Sequence, residues 1–307
     1  MFQAESGPKD LIIIGGGPAG ITAAVYAARK MMDFAVITRD IGGQAAWSGD
    51  IENYTGYQFI SGPDLAQKFR EHLSQYKFAL VEGFGVTGVA KVGEFFKITT
   101  DDAKEYSART LIVASGKRPR TLNVPGEEAY KNHGLTYCAT CDAPLFAGKD
   151  VAVVGGGNSA LDAVLQLIKI VPKIYLINIA GKLTGDPVMQ AKVAAASKVE
   201  LLNQTKVVEV FGDKFVKGIK VESGGQPRTI PLEGVLVEAG LTPNSEFIDL
   251  AKKNQIGEVV INCAAETSVP GLFAAGDVTD VPEKQIIIAA GEGSKAALSA
   301  FRFLSTH

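Results

Sequence analysis

Cys138 and Cys141 stand three positions apart in Cys138-Ala139-Thr140-Cys141-Asp142, where residue types and spacing point most directly to chemistry. Two thiols at this spacing fall on neighbouring sides of one helical turn, close enough to form a disulfide with little backbone movement and to open it again. The positive end of a helix dipole would favour the thiolate, the attacking form in thiol-disulfide exchange. Asp142, directly after the second cysteine, is placed to supply or hold the proton that a reduced pair gains. A structural zinc half-site and two buried cysteines are the plainer assignments. Structural zinc takes about four ligands, and the remaining candidates are Cys263, His72, His133 and His307, none of which makes a second paired knuckle. No metal is expected, and Cys263 reads as a small buried apolar residue.

The elements that must position this pair lie on either side of it. Asp10-Leu-Ile-Ile-Ile14 is a continuously apolar run of the kind buried on both faces of a parallel sheet. It leads into Gly15-Gly-Gly17-Pro-Ala-Gly20 and then Ile21 to Lys30, an Ala-rich helical stretch. Strand, G-x-G-x-x-G and helix together are the context that makes this motif a dinucleotide turn. Gly15 permits the tight turn, Gly17 the approach of a pyrophosphate, and Gly20 the packing of helix on sheet. The phosphates would lie at the helix N-terminus. A second unit follows the cysteines: Asp150 to Val154 as strand, Gly155-Gly-Gly157-Asn158-Ser159-Ala160 as turn, Leu161 to Ile170 as helix, and Lys173 to Ile177 as the next strand. Ala160 replaces the third glycine.

Further along, Phe34 to Thr38 reads as the second strand of the first unit, with Thr38 and then Asp40 where an acidic ribose ligand is expected. Pro63 to Gln75 has helical spacing, with Leu65, Phe69 and Leu73 on one stripe. Phe95 to Thr99 and Tyr106 to Ala108 alternate as antiparallel strands do, and Thr110 to Ala114 reads as another buried strand. Val199 to Val210, Val216 to Glu222 and Gly234 to Glu238 read as strands of the second unit. The tail holds Gly271 to Asp277, a short strand ending in Gly276-Asp277, and a helix from about Glu292 to Leu304. Gly-Asp there either sets a carboxylate beside a bound ribityl or phosphate chain or makes a simple turn.

At 307 residues, 46% hydrophobic and 21% charged, the composition is that of a soluble globular protein with room for two domains. A net charge of -2 with scattered Lys and Arg gives no reason to expect nucleic acid. No run approaches the roughly eighteen apolar residues of a membrane span. Three cysteines make no disulfide framework, so a reducing, cytoplasmic setting without membrane attachment is expected.

In their order, these pieces resemble the low-molecular-weight thioredoxin reductases. They are closer still to the flavoprotein component of alkyl hydroperoxide reductase without its extra N-terminal domains. The resemblance runs from about Lys9 to Phe303 and rests on Gly15 to Gly20, Gly42-Gly-Gln44, Glu52-Asn53, Cys138 to Asp142, Pro144-Leu-Phe146, Gly276-Asp277, and Lys284-Gln285 with Gly291-Glu-Gly293. It implies an α/β fold of two Rossmann-like domains. An FAD domain of residues 1–116 and 245–307 would be interrupted by a nicotinamide domain of residues 117–244. It further implies FAD held by Gly15, Gly17, Gly20, Gln44, Asn53, Asp277, Lys284, Gln285 and Ile286. The nicotinamide dinucleotide would meet Gly155, Gly157, Asn158, Ser159, Ala160 and Asn178. Cys141 would face the flavin, Cys138 would attack the protein partner, and Asp142 would be the acid.

The implied activity passes electrons from NAD(P)H through FAD and the cysteine pair to thioredoxin or a glutaredoxin-like protein, in a homodimer. NADPH-using relatives carry an Arg cluster after the second strand of the nicotinamide domain. Here that stretch reads Asn178-Ile-Ala-Gly-Lys182-Leu-Thr-Gly-Asp186, with no arginine, so NADH is favoured. Alternatives within the same chemistry are a carrier feeding a peroxiredoxin, or a ferredoxin-driven flavin reductase. From another class comes a flavin-based redox sensor whose cysteine pair switches without turnover.

Overall fold

A computed structural model describes residues 7–47, 50–51 and 53–307. The chain divides into two compact units, one of Met1–Arg118 with Thr242–His307 and the other of Pro119–Leu241. Each is an α/β body, the first around a sheet with a parallel core and an antiparallel edge, the second around a parallel sheet.

In the first unit, strands β1 (Lys9–Ile14), β2 (Phe34–Thr38), β3 (Ala79–Glu82), β4 (Val86–Val92), β5 (Phe95–Thr100) and β6 (Glu105–Val113) lie in the order β3-β2-β1-β6-β5-β4. The core strands β1 and β2 carry Leu11, Ile12, Ile13 and Ile37 almost wholly out of water, as an all-apolar β-branched run requires when both faces are covered. β6 changes partner halfway. Its first residues pair antiparallel with β5, and Leu111 to Val113 pair parallel with the C-terminal strand Leu272–Ala274. Helix α1 (Pro18–Arg29) covers the sheet with Ala23, Ala24 and Ala27, and α2 (Gly62–Leu73) buries Leu65 and Leu73.

The C-terminal helix spans Ile286–Thr306. It begins six residues before the expected Glu292, because Gly291 sits inside the helix rather than ending it. Gly293 is where this helix crosses α1: a Cβ there would come within 2.0 Å of the Ala19 carbonyl oxygen. Small residues at such a crossing let two backbones approach, and the gain in packing offsets the conformational cost of a helical glycine.

The second unit contains β7 (Leu135–Thr136), helix α3 (Ala139–Asp142), β8 (Val151–Val154), α4 (Asn158–Leu167), β9 (Ile174–Ile177), α5 (Pro187–Ala194), β10 (Val199–Leu202) and β14 (Gly234–Val237), the strands forming a parallel sheet in the order β7-β14-β8-β9-β10. A separate antiparallel sheet consists of β11 (Thr205–Gly212), β12 (Val216–Ser223) and β13 (Gln226–Pro231). The expected single strand Val199 to Val210 is therefore two strands in two sheets. Gln204, at φ +50°, turns the chain between them, a left-handed position no strand can carry.

Among the described residues, no helix is long and apolar enough to cross a membrane, and no cluster of His, Cys, Asp or Glu could hold a metal ion.

Candidate active site

In each unit the central strand ends in a glycine turn at a point where neighbouring strands lead away on either side, the usual crevice for a nucleotide. Gly15 has φ +113°, and a Cβ there would lie 2.2 Å from the Ala114 carbonyl oxygen, so the turn after β1 closes only around glycine. A Cβ at Gly20 would meet the Gly15 oxygen at 1.9 Å, whereas at Gly17 it would meet nothing within 4 Å. The second position thus leaves an open approach and the third closes the helix onto the turn.

The helix ends supply a test of fit for phosphate. Ser61 caps α2 by accepting from the Asp64 N–H, and Asp186 caps α5 by accepting from the Val188 and Met189 N–H groups. Helices α1 and α4 instead begin on Gly17 and Gly157, without a side-chain cap and without an acidic residue in the first turn. Helices of this kind favour an anion at their first N–H groups, and the residues present fit a dinucleotide at both turns.

Around the first turn, Gly276 has φ +78°, and a Cβ on it would lie 3.0 Å from that of Ala19, so Gly276-Asp277 packs against the start of α1. Burial raises the Asp277 carboxyl above its ordinary value, and the charges of Lys284 and Lys117 draw it partly back. The Gly276 N–H donates to Glu292 Oε2 at 2.7 Å, and burial raises that carboxyl as well. The Asn53 amide donates to Gln285 Oε1 at 3.0 Å. Ile286, the first residue of the C-terminal helix, packs with Ile51, Ile60 and Leu65. Gln44 lies in the short 3-10 turn Gly43–Trp47, its amide 3.9 Å from where a Gly116 Cβ would stand. Glu52, part of the Glu-Asn sign, lies outside the described residues.

Lys284 is committed within the protein. Its Nζ donates to the Thr279 carbonyl at 2.6 Å and pairs with Glu258 Oε1 at 3.1 Å, and Lys117 pairs with the same oxygen at 2.7 Å. Burial works against the Glu258 charge, but hydrogen bonds from Lys117, Asn254 and Lys284 outweigh it and hold the carboxyl below its ordinary range. Thr38 is buried, and its hydroxyl donates to the Asp40 carbonyl at 2.6 Å. Asp40 itself is exposed and accepts from the Gly43 N–H through its carboxylate.

In the second turn, Gly155 has φ +153°, and a Cβ there would lie 2.2 Å from the Glu238 carbonyl oxygen. Asn158 Oδ1 accepts from the Asp186 N–H at 2.6 Å, Ser159 is exposed, and Ala160 is fully buried under the turn. Asn178 is only 3% exposed. Its amide nitrogen donates to the Ala180 carbonyl at 3.1 Å and to Asn203 Oδ1 at 2.8 Å, and its oxygen accepts from the Ala180 N–H. The side chain thus props the turn after β9, and both amide hydrogens are already spent.

Cys138 stands just before α3 and is disulfide-bonded. The Cys141 side chain lies outside the described residues, although its backbone continues α3. Thr136, on β7, organises the turn: its hydroxyl donates to Asp142 Oδ2 at 2.5 Å and accepts from the Cys138 N–H at 3.1 Å. Strand β7 is itself registered on β14, with Thr136 opposite Leu236. Cys263 is an exposed free thiol, not the buried residue expected. Its loop is an Asn-centred turn in which Asn262 Oδ1 caps the Ala264 N–H, so the chain faces water there.

Glu238 belongs to none of the motifs. It is the one charged residue in the apolar run Gly234 to Ala239, and that alone is a signal. Its carboxyl accepts the backbone N–H of Ala139, and burial pushes it up to about 7.

Two Rossmann-like dinucleotide folds, the second carrying the disulfide-bonded Cys138, define the class: an α/β protein of the pyridine nucleotide-linked disulfide type. The chain belongs to the pyridine nucleotide-disulphide oxidoreductase family, whose sequence pattern matches residues 9–293. The F component of alkyl hydroperoxide reductase from Staphylococcus aureus (strain MSSA476) is 40% identical over 300 residues, 97% of this chain. The chain spans 59% of that relative's length. Among solved structures, the thioredoxin reductase of Lactococcus lactis (FR conformation) superposes with a TM-score of 0.88 at 33% identity, covering 97% of this chain and all of that one. That of T. acidophilum gives 0.84 at 34%, covering 96% and 98%.

Proposed function

We propose that this protein is a flavin-dependent disulfide reductase that takes electrons from NAD(P)H, with NADH favoured, and delivers them to thioredoxin or a similar small dithiol protein. The observation that carries this reading is the pairing of two uncapped glycine-turn helices with a disulfide at Cys138. One turn alone would suit any nucleotide-binding protein, and the sulfur gives the second one a purpose. Thioredoxin is the substrate class of the structural relatives, and the alkyl hydroperoxide reductase relative points to a peroxiredoxin-linked carrier as the alternative acceptor. A homodimer in a reducing cytoplasm fits both.

FAD, when bound, would accept a hydride from the nicotinamide and pass two electrons to the disulfide. Gly15, Gly17 and Gly20 would admit its pyrophosphate to the start of α1, and Asp277, Asn53, Gln285 and Ile286 would line its approach. Gly155, Gly157, Asn158, Ser159 and Ala160 would form the nicotinamide dinucleotide turn. Asn178 acts there by holding the loop. The absence of arginine from Asn178 to Asp186 leaves a 2'-phosphate without a bidentate partner. We assign attack on the partner disulfide to Cys138, the flavin-facing sulfur to Cys141, and proton delivery to Asp142, which the Thr136 hydroxyl orients.

Anaerobic stopped-flow mixing of the FAD-loaded protein with NADH and then NADPH tests the proposal. Rapid bleaching of the flavin, faster with NADH, followed by reduction of added thioredoxin disulfide, is the expected course. Slow bleaching without sustained consumption of the donor would mark a sensor instead.

A further inference from the structure

The two glycine turns match position for position, and at one of those positions they differ in charge. In the first unit the carbonyl that forces glycine at Gly15 belongs to Ala114, and in the second the carbonyl that forces glycine at Gly155 belongs to Glu238, each 2.2 Å from the missing Cβ. Alanine therefore suffices for the fold at this place. A half-buried carboxyl here carries a desolvation cost that the turn does not require.

What the carboxyl touches gives it a purpose. Glu238 follows β14 directly, its own N–H donating to the Val154 carbonyl at 2.8 Å beside the glycine turn. Its side chain accepts the N–H of Ala139, the residue after Cys138 and the first of α3. One side chain thus ties the end of a sheet strand to the peptide next to the redox sulfur. On the neighbouring elements, Asp142 of α3 is held by the Thr136 hydroxyl and Arg120 by the Leu241 carbonyl, which leaves Asp162 of α4. Its sign opposes ionisation of Glu238. Among the described residues, the one charged group acting on Glu238 is the like-charged Asp162, so nothing there holds it ionised.

We propose that Glu238 is a positioning residue that couples proton binding to the reactivity of Cys138, acting through the Ala139 N–H. This rests on the reading of Cys138 as a redox sulfur. As a carboxylate, Glu238 grips the Ala139 N–H with a charge-assisted bond and sets a negative charge near the sulfur, which disfavours the thiolate. As a neutral acid it keeps a weaker bond and removes that charge, so the thiolate forms more readily. The proton affinity of Glu238, near neutral because it is buried, places this change within the working pH range.

The test uses the full chain with its FAD, reduced with dithiothreitol, desalted without oxygen and pulsed with iodoacetamide from about pH 5.5 to about pH 9. Peptide mass spectrometry reads Cys138, with the exposed Cys263 as internal reference. For the unmodified protein the Cys138 rate should depart from a single-thiol curve near neutral pH by about threefold, the equivalent of half a pKa unit. Glu238→Gln keeps an acceptor for the Ala139 N–H but cannot titrate, and should give a single-thiol curve. An inflection that persists in Glu238→Gln overturns the proposal. So does its absence from the unmodified protein. Infrared difference spectra give a second check: a protonated carboxyl band that titrates near neutrality in the unmodified protein and is missing from Glu238→Gln supports the proposal, whereas its persistence in that variant, or full ionisation of every glutamate by about pH 5.5, overturns it. Neither measurement needs a nicotinamide donor or a partner protein. A chain that failed as a reductase would still give these profiles, and the two readings therefore fail separately.

Discussion

The two dinucleotide turns are built on one backbone plan and stocked with different side chains. Gly16 and Gly156 show the plan: a Cβ at the first would strike the Asp40 carbonyl at 2.3 Å and the Thr38 hydroxyl at 2.7 Å, and at the second the Asn178 side chain at 2.4 Å. In each unit a short polar residue at the end of the second strand fills the space that glycine leaves. Thr38 ties down the Asp40 carbonyl, and Asn178 ties down Ala180 and Asn203. The plan is steric, so it tolerates any filler of the right size. The differences fall where the units part in chemistry. Around its turn the first gathers Lys117, Glu258, Lys284 and Asp277, whereas the second sets the Glu238 carboxyl, with the like-charged Asp162 acting on it, near the disulfide-bonded Cys138.

The largest expected effect is the loss of sulfur chemistry from the second unit with the first intact. Cys138→Ser should lower NAD(P)H-dependent reduction of thioredoxin disulfide by about 10³-fold or more, since a hydroxyl cannot replace the attacking thiolate. Reduction of a small dye that takes electrons straight from the flavin should change by less than about twofold. Parallel assays with the two acceptors make the measurement. Equal loss in both would mean that the two units do not divide the work as proposed.

Next in size is the charge group of the first unit. Glu258→Gln removes the shared anion of Lys117 and Lys284, whose side chains are 9% and 22% exposed. Breaking a buried pair from one side costs about 3 kcal/mol or more. Urea unfolding followed by flavin fluorescence should show this cost, while the circular dichroism of the second unit should lag behind it. A shift of less than about 1 kcal/mol would mean that water reaches the two ammonium groups.

How much of this was legible in the sequence differs between the steric and the electrostatic parts. Both strand-turn-helix units, the cysteine turn and the Gly276-Asp277 corner are local patterns, and chain order alone places them. What escaped depends on partners far along the chain. An asparagine closing a strand reads as a solvent-facing ligand until Asn203 and Ala180 consume its amide. The C-terminal helix reads as starting at about Glu292, although three isoleucines before Gly291 already belong to it. Glu238 stands out in sequence as one charge in an apolar run, but what it holds is visible only when Ala139, nearly a hundred positions earlier, is brought to its carboxyl. Spacing reports what neighbours in sequence can do, and long-range satisfaction of polar groups is invisible to it.

The pH response separates the units further. The folded protein holds the Glu238 proton up to about 7, above the ordinary value of 4.5. A raised carboxyl binds more protons folded than unfolded, so its contribution to stability falls as pH rises through that window. The fall amounts to at most about 3 kcal/mol. Asp277 and Glu292, also raised, add a slope of the same sign from the first unit. Glu238→Gln should therefore become more stable relative to the unmodified protein between about pH 5 and about pH 8, with the remaining slope assigned to the first unit. Melting curves at several pH values supply the comparison, and an unchanged difference would mean that Glu238 titrates at its ordinary value.

The smallest effect probes the plan itself, at the third motif position, where the first unit has Gly20 and the second Ala160. A methyl on Gly20 would lie 1.9 Å from the Gly15 oxygen. The second turn makes room for that methyl with Gly155 at φ +153°, against +113° at Gly15. Gly20→Ala should then force the first turn apart, cost about 1 to 3 kcal/mol and weaken FAD retention. Ala160→Gly removes one buried methyl and loosens a helix start, for about 1 kcal/mol, and should leave FAD bound. Paired thermal melts with flavin release as the readout decide between an asymmetric pair and an equal one. Equal and small costs at both sites would mean that the first turn can relax to the geometry of the second, and that the glycine at position 20 is not sterically required.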